Sequence, residues 1–122
     1  MDIHFIERNG NFVVKIRGEI DHHFAEKMRS SKLIEANFAK SPAKNIVFDF
    51  AHVNFMDSSG IGMIIGRYKE LKKSGGRVFA INIGPEIGRI FEISGLKKII
   101  PCFAGLDEID VAAFNQTGVL SK

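Results

Sequence analysis

The 122-residue sequence has no tryptophan, one tyrosine, one cysteine and three prolines. A single cysteine excludes an intramolecular disulfide. Cys102 lies between Pro101 and Phe103 in an apolar stretch and reads as a packed structural thiol. No apolar run approaches the roughly 20 residues a membrane-spanning helix needs. The start, Met1-Asp2-Ile3-His4, has no basic region followed by an apolar one, so no signal peptide is expected and the cytoplasm is the natural setting. A large excess of one charge sign is also lacking: the formal net charge is +3, with Lys and Arg scattered singly or in pairs. Without a basic stripe interleaved with aromatics, nucleic acid is not an expected partner. Low-complexity segments, repeats and linkers are missing too, so residues 1–122 are expected to form one domain. Neither Gly-x-x-x-x-Gly-Lys-Ser/Thr nor Gly-x-Gly-x-x-Gly occurs, which removes the common phosphate-binding loops.

What is present suits a packed α/β domain. Apolar residues make up 45% of the chain and charged residues 25%, and eleven phenylalanines supply bulk for a core. Ile3–Glu7 and Phe12–Arg17 are β-rich runs flanking Asn9-Gly10, a hairpin signal because both residues tolerate positive φ. In the second run Phe12, Val14 and Ile16 alternate with Val13, Lys15 and Arg17, the period of a half-buried strand. Gly18 to Asp21 reads as a turn with Asp21 capping a helix over about 22–39, in which Phe24, Met28, Ser31 and Phe38 recur at helical spacing. A strand follows over Asn45–Phe50.

A second helix runs from the Asp57 region to about Lys73, with Ile61, Ile64, Ile65, Tyr68 and Leu71 as its buried stripe. A strand over Arg77–Ile83, a helix from Pro85 closed by Gly95, a short strand at Ile99-Ile100 and a helix over 106–116 complete the pattern. The expected fold is α/β: a mixed four- to five-stranded sheet with an N-terminal hairpin and about four helices packed mainly on one side.

The informative segment is Phe55-Met56-Asp57-Ser58-Ser59-Gly60-Ile61-Gly62-Met63. It follows a strand and opens a helix, where unpaired backbone N–H groups and the helix dipole favour negative charge. Gly62 and Gly66 cost on the order of 1 kcal/mol each against Ala inside a helix. They fall on the same side as Ser58, where small residues admit the backbone of another protein. Met63 lies off the apolar stripe and is expected to project to solvent beside that surface.

Gly18-Glu19-Ile20-Asp21-His22-His23 together with Asp57-Ser58-Ser59-Gly60-Ile61-Gly62 resembles the STAS family of anti-sigma factor antagonists. Gly66-Arg67-Tyr68-Lys69 and Ser94-Gly95-Leu96 extend the likeness, which runs from the first hairpin to about Phe103 and is strongest to the sporulation members. The resemblance implies a STAS fold and a partner switch. The unphosphorylated protein would bind an anti-sigma factor that is also a serine kinase, and so free a sigma factor. The kinase would phosphorylate Ser58, and a serine phosphatase would reverse this. Asp21 would lie on the contact surface with Asp57, Ser58, Ser59, Gly60, Gly62, Met63 and Gly66. From physics alone Ser58 and Ser59 are equivalent; the family pattern selects Ser58. The free protein is expected to be monomeric.

Enzymatic readings are weaker. Asp57 after a strand is also where response-regulator receivers carry their phospho-acceptor, but the first strand here runs into Glu7-Arg8-Asn9-Gly10 and supplies no acidic pair. No Gly-x-Ser-x-Gly elbow frames Ser58 as a nucleophile. His22 and His23 diverge by about 100° on a helix and have no further ligands nearby, so neither a metal nor a cofactor is expected. Two alternatives keep the fold: an antagonist in a general stress or other partner-switching pathway, and a nucleotide-binding STAS protein.

Overall fold

The computed structural model describes residues 2–110. Strands β1 (Asp2–Arg8) and β2 (Asn11–Ile20) form the expected antiparallel hairpin, with Asn9 at φ 53° and Gly10 at φ 82° in its turn. Helices α1 (His22–Ser31) and α2 (Leu33–Ala39) lead to β3 (Asn45–Met56), and α3 (Ser58–Lys73) to β4 (Val78–Ile81). Then come α4 (Pro85–Ser94), α5 (Leu96–Ile99), β5 (Cys102–Phe103) and a helix that opens at 106. The sheet has the order β1-β2-β3-β4-β5, with every pair after the hairpin parallel. It is the mixed α/β sheet expected.

Strand alternation divides the apolar residues between two layers. Val14, Ile16, Ile46, Phe48, Phe50, Val78 and Ala80 face the helical layer, where Phe24, Met28, Ile34, Ile64, Leu71, Ile87 and Phe91 pack on them. Val13, Val47, Phe79 and Ile81 face the other way and are covered by Ile109 and Leu106. Val13 is therefore fully buried, not solvent-facing, and one helix lies opposite the rest. The expected helix over 106–116 opens at Leu106; its residues from 111 on lie outside the described ones.

Five local expectations are corrected. The first helix is two: Lys32, at φ 52°, ends α1 and starts α2. One continuous helix would have kept Ser31 on the core stripe; the break leaves Ser31 exposed and brings Ile34 to 1% exposure. Residues 18–20 are strand, not turn, because β3 continues to Met56 and gives them a parallel partner, with Ile20 opposite Met56. Ile99 belongs to α5, which buries Leu96 and is followed by the fully buried Ile100, and the last strand starts only at Cys102. β4 ends at Ile81, two residues before the expected Ile83, where Asn82 takes φ 58°. Cys102 is also exposed instead of packed. Its thiol donates to the Ile100 carbonyl at 3.5 Å, and partial burial raises its pKa against the opposing effect of Lys97.

Candidate functional site

Parallel pairing of β2 with β3 places their C-terminal ends side by side, and each strand runs straight into an N-cap. Asp21 caps α1, its Oδ1 accepting the Phe24 N–H at 3.0 Å. Asp57 caps α3, its Oδ1 accepting the N–H groups of Ser59 at 2.9 Å and Gly60 at 3.2 Å. Its Oδ2 reaches across and accepts the His22 N–H at 3.2 Å, so one carboxylate serves the first turns of both helices. The Asp57 N–H in turn donates to the Ile20 carbonyl at 3.4 Å. Hydrogen bonding from Phe24 N–H holds the Asp21 carboxyl below its ordinary pKa; partial desolvation opposes this and the nearby His23 supports it.

Cap duty falls on Asp57, which leaves both serines free of it. Ser58 is exposed at the first position of α3, while Ser59 is half-buried and turned toward a groove between α1 and α3. The three glycines of this stretch separate physically. A β-carbon on Gly60 would stand 2.4 Å from the Ile20 carbonyl oxygen and 2.7 Å from its Cγ2, so Gly60 is buried and serves close helix–strand packing. On Gly62 or Gly66 a β-carbon would meet nothing within 4 Å. Those two do not seat α3 on the sheet, and their open side faces outward beside Ser59.

Met63 differs from expectation. It is half-buried, packs against the helical core and lines the groove. His22 and His23 are exposed in the first turn of α1, their rings 5.8 Å apart edge to face. No bond at this corner holds Ser58 Oγ against either imidazole among the described residues; the bonds here run from backbone N–H groups to the two aspartates. No group of three metal-ligating side chains forms among the described residues, and no helix there is long and apolar enough to cross a membrane.

Sequence reasoning passed over Phe55, which is 46% exposed at the end of β3 opposite Glu19. The pairing of β2 with β3 slips twice, between Lys15 and Arg17 and between Gly18 and Glu19, each slip adding a residue on the β3 side. Each extra residue changes which face the following side chains take. Strict alternation would place Phe55 on the same face as the buried Val53, so no local signal marked it; the slip between Val53 and Phe55 sets the two on opposite faces.

Residues 2–109 match the STAS domain family. The chain belongs to the STAS-domain family. The anti-sigma F factor antagonist of Paenibacillus polymyxa is 32% identical over 103 residues, which cover 84% of this chain and 86% of that one. The anti-sigma-B factor antagonist of Bacillus subtilis strain 168 is 33% identical over 115 residues, covering 93% and 94%. Among solved structures, the phosphorylated form of the Bacillus cell fate determinant SpoIIAA matches with a TM-score of 0.66 at 28% identity, over 91% of this chain and 99% of that one. This STAS domain is thus one of the anti-sigma factor antagonists.

Proposed function

We propose that this STAS domain is a phosphorylation-controlled binding module in a partner switch, not an enzyme. In its unphosphorylated form it binds an anti-sigma factor that is also a serine kinase, and so frees the sporulation sigma factor. Phosphorylation of Ser58 by that kinase ends the binding, and a serine phosphatase restores it. The free protein is a monomer without a cofactor and works in the cytoplasm, where its partners act on transcription. Asp21, Asp57, Ser58, Ser59, Gly62, Met63 and Gly66 form the contact surface, with Phe55 beside them. Gly60 supports it from beneath.

The observation that carries this reading is the exposure of Ser58 at the first turn of α3, released from capping by Asp57 and set beside a second capped helix. A phosphate there adds roughly −1.5 to −2 charges at neutral pH. Asp57 already takes the Ser59 and Gly60 N–H groups, so the new charge faces outward, toward the partner. Inhibition is local repulsion and desolvation, and the backbone stays as it is.

Incubation with the sporulation anti-sigma kinase and ATP, read by intact mass and site mapping, tests this. One phosphate on Ser58, absent from Ser58→Ala and accompanied by loss of stable binding, is the expected result. Phosphate on Ser59 overturns the residue assignment. Absence of both binding and phosphate overturns the sporulation circuit. The second reading, an antagonist in a general stress circuit, is supported by the 33% identity to the anti-sigma-B relative. Binding to the anti-sigma-B kinase in place of the sporulation one would establish it.

A further inference from the structure

Beside the two capped helix ends, α1, α2 and α3 enclose an open groove of about 420 Å³. Its floor is apolar: Met28 and Ile34 are buried, and the half-buried Met63 lies against them. Gly62 and Gly66 leave one wall clear. The rim is basic, carrying Arg29, Lys32 and Arg67 against a single carboxylate, Glu35, which holds Arg67 at 3.1 Å. Arg29 also pairs away from the groove, with Glu26 at 2.7 Å on the exposed face of α1. At Ser59 the groove opens toward the corner of Asp21 and Asp57, so this surface is acidic at one end and basic at the other.

Building on the reading that the helix ends face an anti-sigma partner, we propose that the groove receives an acidic segment of that same partner. An apolar side chain sits on Met28, Ile34 and Met63, and a neighbouring Asp or Glu meets Arg29 and Lys32. Opposite charges at the two ends admit one orientation of the partner and penalise the reverse. Arg67 lies nine residues beyond Ser58, about 14 Å along α3 at the rise of a helix. That exceeds the Debye length of about 8 Å at physiological salt. A phosphate on Ser58 therefore leaves the charge at the Arg67 end of the groove largely unaltered: that end supplies a constant part of the affinity and the corner supplies the switch.

The test titrates the partner kinase with the wild type, with Arg29→Glu/Lys32→Glu, and with Gly66→Gln. The last variant fills the groove where a β-carbon meets nothing and removes a glycine from a helix interior, so the fold is retained, as thermal unfolding verifies. Both variants are expected to bind at least tenfold more weakly. Both still accept phosphate on Ser58, with a raised KM for this chain and an unchanged kcat. Affinities within twofold of wild type, with Ser58 still phosphorylated, overturn the groove proposal and leave the switch standing. A wild type that neither binds nor accepts phosphate overturns the switch and the groove with it. Self-association of the wild type that Gly66→Gln abolishes, with kinase binding unchanged, assigns the groove to a second copy and overturns the proposal.

Discussion

Gly60 sits so close to Ile20 that a β-carbon added to it would stand 2.4 Å from the Ile20 carbonyl oxygen. That oxygen also accepts the Asp57 N–H, so the end of β2 is locked to the start of α3 at two adjoining points. The atom in the way is backbone and cannot turn aside as a side-chain tip would. Gly60→Ala is therefore expected to destabilise the fold by about 1–3 kcal/mol, the usual cost of overpacking. Gly62→Ala, in open space on the same helix, is expected to stabilise it by about 0.5–1 kcal/mol. Urea midpoints of the two variants, taken together, check the contrast; equal shifts of the same sign would refute it.

Asp57 serves two helices with one carboxylate. Asp57→Ala removes the cap of α3 and the acceptor for His22 N–H, and is expected to cost about 2 kcal/mol, the upper end for a lost cap. Because Asp21 and Asp57 both satisfy N–H groups in the first turn of α1, the double alanine variant is expected to depart from additivity by about 0.5 kcal/mol or more. Denaturant unfolding of the two single variants and the double variant measures that coupling. Strict additivity would mean that the reach to His22 carries no energy.

The depressed pKa of Asp21 gives a pH dependence of defined sign. The Phe24 N–H favours the carboxylate in the folded state, so folding lowers the pKa from 3.8. The resulting stabilisation is present above the unfolded value and is lost as pH falls through the folded one. Wild type and Asp21→Asn are therefore expected to differ by a constant amount from about pH 5 upward and to converge below about pH 4. Unfolding curves across that range decide it; a difference that grows on acidification would reverse the sign and refute the assignment.

Cys102 is exposed as a residue, yet its thiol is slow by this account. Desolvation raises its pKa and outweighs the help of Lys97, so little thiolate is present near neutrality. Alkylation by iodoacetamide at pH 7.5, a value of our choosing about one unit below an ordinary thiol's pKa, is expected to run several-fold more slowly than for a free cysteine. Its rate should keep rising with pH beyond the ordinary thiol range. Labelling at the free-cysteine rate would show the thiol to be solvated.

Much of the fold could be read in the chain itself. Alternation placed β2, the 3.6-residue stripe from Ile61 to Leu71 placed α3, and Asn9-Gly10, Pro85 and Gly95 marked a turn and two helix ends, because each signal is local and involves neighbours within a few residues. The misreadings share one cause. Whether residues 18–20 are strand depends on β3 offering a partner, whether Ser31 or Ile34 faces inward depends on the core beneath α1 and α2, and Val53 and Met56, three residues apart, both face inward because the register with β2 slips between them. Each outcome is set by a segment distant in the chain.

The sequence by itself determined that an exposed serine would stand at a helix start behind an aspartate, since capping and helix periodicity are properties of adjacent residues. Only the tertiary structure decided that Asp57 would hold two helices, that Gly60 would be buried while Gly62 and Gly66 stayed open, and that Met63 would line a basic groove. Those facts require β2 and β3 to lie in register, with Ile20 opposite Met56, and that pairing joins residues thirty-six positions apart.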